Sequence, residues 1–141
     1  MHARCRCHSA EPAGVDLKPL VKYIVAVRPG IDKRSLFRTV YLIDKGFERE
    51  TGRPLTGTNY GHCMLLKAPY FSVDVKDAIF ELLESGEVEL RAERDEEGRL
   101  VSTYRPVGYG PEDVEPELRR AFGLNGPRWE VFERVLERAL P

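Results

Sequence analysis

The sequence predicts a mainly α domain with one small β-hairpin, an α+β arrangement of winged-helix-like outline. Three observations carry that expectation. Apolar residues recur at helical spacing in five segments. The period falls to two in a single stretch, residues 87–107. That stretch follows the third helix directly, as a wing follows a recognition helix.

Asp16 is the N-cap candidate of the first helix, whose stripe is Leu17, Leu20, Val21, Ile24 and Val25. Pro19 is tolerated there because first-turn amides lack intrahelical partners, and Pro29-Gly30 ends the segment. A second helix follows Asp32: Leu36, Val40, Ile43 and Phe47 repeat along one face, Phe37 and Tyr41 widen it, and Gly52 supplies the C-cap. Its outer face carries Arg38, Lys45 and Arg49.

Ser72 is placed to cap the third helix, with Val75, Ala78, Ile79, Leu82 and Leu83 facing the core and Gly86 closing it. Val88, Leu90 and Ala92 then alternate with charged residues, residues 95–98 turn, and Leu100, Ser102 and Tyr104 return on one side. Two more helices fit 112–122, with Val114, Leu118, Ala121 and Phe122, and 128–140, with Trp129, Phe132, Val135, Leu136, Ala139 and Leu140. Each begins near a proline suited to a first helical turn.

The chain of 141 residues is long enough for one self-sufficient core, and residues 15–141 read as a single domain behind a flexible N-terminal tail, 1–14. With 42% apolar and 32% charged residues, its composition is that of a soluble globular protein. No apolar run approaches a membrane span and the first residues lack a signal-peptide core, so a cytoplasmic location is expected. The odd cysteine count, Cys5, Cys7 and Cys63, agrees with a reducing compartment. Residues 1–71 hold 12 Lys/Arg against 6 Asp/Glu and residues 72–141 hold 10 against 17. That asymmetry implies a nucleic-acid face, a steered protein partner or attraction between the halves of one domain.

Enzyme signatures are scarce. His62 and Cys63 are adjacent, which turns their side chains apart on a strand or a helix, and no phosphate-binding glycine motif or nucleophile elbow is present. His2, Cys5, Cys7 and His8 are soft ligands without the usual zinc spacing. No catalytic residue, cofactor or metal site is therefore expected. DNA binding through the third helix and hairpin meets the wrong sign, because Asp74, Asp77, Glu81 and Glu84 stand against Lys76, and Glu93, Asp95, Glu96 and Glu97 on the wing against Arg91, Arg94 and Arg99, which would leave DNA to the basic second helix and the N-terminal arm.

The stretch between the second and third helices is the distinctive one. "VYLID" (Val40 to Asp44), "GRPLTG" (Gly52 to Gly57), Tyr60 and "KAPYFS" (Lys67 to Ser72) occur in that order, followed by "AIFELLESGEVE". In this the chain resembles the SocA/Panacea family over roughly residues 33–90, although Ala68-Pro69 stands where the family has Gly-Pro. The resemblance implies non-enzymatic protein binding: an antitoxin-like module that neutralises or adapts a toxin-like protein encoded nearby. The expected contact surface is Arg53, Pro54, Tyr60, Pro69 and Tyr70 on the 52–71 loop, beside Arg38, Lys45 and Arg49. The alternatives are a loop that only covers the core, a winged-helix DNA-binding regulator, and an oligomerisation domain; the sequence leaves homo-oligomerisation open.

Overall fold

A computed structural model describes residues 11–63 and 68–141, with the backbone alone described at 62, 63, 68 and 69. Among the described residues there are five helices: α1 (Lys18–Val27), α2 (Lys33–Thr51), α3 (Val73–Glu84), α4 (Pro111–Phe122) and α5 (Pro127–Ala139). They accompany five strands: β1 (Ile31–Asp32), β2 (Gly61–Cys63), β3 (Ala68–Phe71), β4 (Val88–Arg94) and β5 (Leu100–Pro106).

The helix boundaries follow local chemistry. Asp32 caps α2, its carboxylate accepting from Ser35 N at 3.2 Å and Ser35 Oγ at 2.6 Å. Gly52 ends the helix at φ 90°, a left-handed conformation that glycine enters without a Cβ clash. Ser72 caps α3 by accepting from Val75 N at 3.2 Å. Asp16 does not cap α1 as expected. Leu17 holds the N-cap position, and the Asp16 carboxylate accepts from Lys18 N at 3.0 Å instead.

β4 and β5 form the expected hairpin, with Leu90 opposite Tyr104 and Ala92 opposite Ser102. A two-residue strand that the sequence does not announce completes a three-stranded antiparallel sheet of order β1-β5-β4, with Ile31 opposite Tyr104. α1, β1, α2, α3 and this hairpin follow one another in the expected order of helices and then a hairpin, in a mainly α, α+β fold. The stretch expected to be one loop also contains an antiparallel ribbon, in which Gly61 in β2 opposes Phe71 in β3.

One core joins all five helices. Leu20 and Ile24 of α1, Leu36, Val40, Ile43 and Phe47 of α2, Val75 and Leu82 of α3, Leu118 of α4 and Phe132 of α5 are at most 1% exposed. Phe132 stands 5.9 Å from the Tyr23 ring, 6.4 Å from Phe47 and 5.1 Å from Trp129, tying α5 to α1 and α2. Four residues of the expected apolar patterns are exposed. Leu90 and Leu100 are 51% and 64% exposed, and Ala92 and Ala121 also face solvent. The hairpin runs out past the core, so of its apolar side chains only Val88 and Tyr104, near its base, are buried, together with Thr103.

Candidate interaction surface

Two buried aspartates organise the distinctive stretch. Asp44, on the inner side of α2, accepts from Thr56 N at 2.8 Å, Thr56 Oγ1 at 2.6 Å and the Tyr60 hydroxyl at 2.5 Å. Burial raises its carboxyl above the ordinary aspartate value, and the bonds from Thr56 and Tyr60 offset part of that shift. The Tyr60 hydroxyl is pushed far up in turn by burial and by the Asp44 charge, so it stays a donor.

Asp74, in the first turn of α3, does the same for the other end of the loop. It accepts from Thr58 Oγ1 at 2.7 Å and from the backbone N–H of Ala13 and Gly14 at 2.9 and 3.1 Å. Thr58 Oγ1 also lies 2.8 Å from Ser72 Oγ. The Thr-Gly-Thr of the loop is thus a clamp: Thr56 belongs to the Asp44 centre, Thr58 to the Asp74 centre, and Gly57 between them turns the chain at φ 76°. Every charged oxygen involved meets a donor, as buried carboxylates require.

Outside this clamp lies the surface. Arg34, Arg38, Tyr41, Lys45 and Arg49 repeat at three- and four-residue spacing, which places them along one side of α2 over about 22 Å. Arg34, Arg38, Lys45 and Arg49 are exposed. Among the described residues only Lys45 of these four is ion-paired, to Glu48 at 3.5 Å. The Tyr41 ring lies 5.2 Å from Tyr60, edge to face, and 5.7 Å from Tyr70, while Lys45 Nζ stands 5.6 Å from the Tyr41 centroid. A 330 Å³ hollow lined by Asp32, Arg34, Ser35, Arg38 and Tyr70 adjoins this cluster.

The structure therefore brings Tyr60, Tyr70, Arg38 and Lys45 together, with Arg49 one helical turn further along α2. Arg53 and Pro54 are exposed just past the end of that helix, outside the aromatic cluster. Pro69 lies on β3, but its side chain falls outside the described residues, as do those of His62 and Cys63. The soft ligands of residues 2–8 are outside the described residues altogether. Tyr41 and Arg34 belong to the surface and were not singled out as contacts. Their spacing from Arg38 and Lys45 was the available signal. Asp44 gave no comparable sign, because a lone aspartate among apolar residues reads the same whether its partners come from solvent or from a distant loop, and Asp74, expected with Asp77, Glu81 and Glu84 on the acidic face of α3, is instead buried against the loop.

Among the described residues no group of three His, Cys, Asp or Glu side chains is placed to hold a metal, and no helix is long and apolar enough to cross a membrane. No family model, curated protein or solved structure matches the chain.

Proposed function

We propose that the chain is a non-enzymatic protein-interaction module of the antitoxin-like kind, which binds an acidic protein partner and neutralises or adapts it. One observation carries this reading: a stripe of four exposed cations on α2 runs beside a cluster of three tyrosines, of which Tyr60 is held by a buried hydrogen bond to Asp44 and packs with Tyr70 around Tyr41. Arginine and tyrosine are the side chains enriched at binding hot spots, and a one-signed face accelerates encounter with a partner of opposite sign. Holding the tyrosines rigid in advance lowers the ordering cost of association. The rival reading, a regulator gripping DNA with α3 and the hairpin, would present the exposed Asp77, Glu81 and Glu84 of α3 to a polyanion.

In this reading Tyr70, Tyr41, Arg38 and Arg49 are contact residues, with Arg53 at the margin, and Tyr60 positions its neighbours through its bond to Asp44. The test is capture from cells of the chain's own source by the intact protein, followed by titration of the purified partner against wild type, Arg38→Glu and Arg49→Glu. Both substitutions are expected to weaken binding about tenfold or more at unchanged thermal midpoint, mainly through the association rate. A captured partner that binds these variants as tightly as wild type moves the site elsewhere. Nanomolar binding of duplex DNA, lost on substitution of α3 or hairpin residues, would decide for the regulator.

A further inference from the structure

β4 is the outer strand of the β1-β5-β4 sheet, and Glu89, Leu90, Arg91 and Ala92 on it are all exposed. Bonds at the two ends of the hairpin set its phase. Val107 N donates to Glu87 O at 3.1 Å and Asp95 N to Arg99 O at 2.9 Å. The odd-numbered residues of β4 therefore bond to β5, and the even-numbered Val88, Leu90 and Ala92 direct their N–H and C=O groups to the open edge. Such an edge is a template for another strand.

We infer that this edge pairs with β4 of a second copy of the chain, antiparallel about a two-fold axis at Leu90, to make a reversible dimer with one continuous six-stranded sheet. The side-chain order selects the register. With the axis at Leu90, Leu90 meets its own copy, Val88 meets Ala92, and Glu89 meets Arg91 on both sides of the axis. Within one chain Arg91 Nε already lies 3.1 Å from Glu89 Oε2, so pairing joins two ion pairs into a four-charge cluster of alternating sign. Glu87 falls opposite Glu93, but each is neutralised in its own chain, Glu87 by Lys22 at 2.6 Å and Glu93 by Arg105 at 3.2 Å.

Neighbouring registers are worse. An axis at Arg91 sets Arg91 against itself and Glu89 against Glu93, and it brings together residues already bonded to β5. An axis at Ala92 keeps an Arg91–Glu93 pair but sets Leu90 against Arg94 and Glu89 against Asp95. Charge on an edge strand deters pairing when like signs meet. Here the alternation is self-complementary in one register, which suits an isologous interface. It also covers Leu90, otherwise a large apolar side chain left 51% exposed. A single strand pair is a small interface, so association is concentration-dependent rather than obligate.

Sedimentation equilibrium of the intact chain is expected to show a monomer–dimer equilibrium with a dissociation constant below about 1 mM. Glu89→Arg and Arg91→Glu should each weaken it about tenfold or more, because two symmetric cross-strand pairs turn repulsive. An equimolar mixture of the two single variants should restore the dimer, as should the double variant. Hydrogen exchange should show the amides of Leu90 and Ala92 gaining protection with concentration in wild type and not in the single variants. A monomer at about 1 mM, a dimer indifferent to both reversals, or a mixture that stays monomeric overturns the inference.

Discussion

Asp44 is the residue on which the distinctive loop depends. Asp44→Ala would strand the Thr56 amide and the Thr56 hydroxyl in a buried site and leave the Tyr60 hydroxyl only Val40 O as acceptor, and a loss of about 3 kcal/mol by chemical denaturation is expected. Asp44→Asn should cost less, since its carbonyl oxygen can keep the Thr56 amide and its NH₂ can donate to the Thr56 hydroxyl. The tyrosine hydroxyl can then turn to Val40 O, now 3.3 Å away. The same carboxylate makes stability depend on pH. Burial raises its folded value above the unfolded one, so its contribution is complete below about pH 4 and is lost as pH rises through the raised value. The stability of wild type relative to Asp44→Asn should therefore fall as pH climbs from about 4 toward neutrality. A difference that is flat, or that rises with pH, would mean that the hydrogen bonds outweigh desolvation at this site.

Among the elements, α2 and α5 pack with no room to spare at Gly46. A Cβ added at Gly46 would stand 2.6 Å from Val135 Cγ1, a buried side chain of α5. Alanine is the better helix former by about 1 kcal/mol. Overpacking costs about 1–3 kcal/mol, so Gly46→Ala is expected to lower stability despite the propensity gain. Adding Val135→Ala should recover part of the loss, and strict additivity of the two changes would show that they do not touch. α3 is anchored differently, by Ser72 as cap and by its bond to Thr58. Ser72→Ala should cost about 1–2 kcal/mol, measurable as a shift in the denaturation midpoint at unchanged slope.

Over the whole molecule, charge and packing divide the labour. The cationic first half meets the acidic second half where Lys18 binds Glu81 at 2.9 Å and Lys22 binds Glu87 at 2.6 Å, pairs that join α1 to α3 and to the base of β4. The α2 cations take no part in that attraction, and their field is left to solvent and partners. Cohesion comes instead from aromatic contacts through Phe132, which is fully buried between α1 and α2. Phe132→Ala should cost about 3–5 kcal/mol, and near-ultraviolet and far-ultraviolet dichroism should still melt together if α5 belongs to the same cooperative unit. Separate transitions would make α5 an appendage.

The five helices, the caps at Gly52 and Ser72, and the existence of the hairpin were legible in the sequence, because side-chain periodicity and capping act over a few residues. The cationic side of α2 was legible for the same reason: one helix turns Arg38, Lys45 and Arg49 to one side whatever surrounds it. What only the tertiary structure decided is where distant segments meet. β1 has two residues and exists only because β5 lies beside it. Leu90 and Leu100 alternate like core residues, yet the hairpin outruns the core that would cover them. Thr56 and Thr58 carry no local sign of a role, and chain folding delivered Asp44 and Asp74 to them from the helices on either side. Burial and long-range hydrogen bonding belong to the packed chain rather than to any window of it, and here they turn a conspicuous loop into a clamp that holds the tyrosines beside α2.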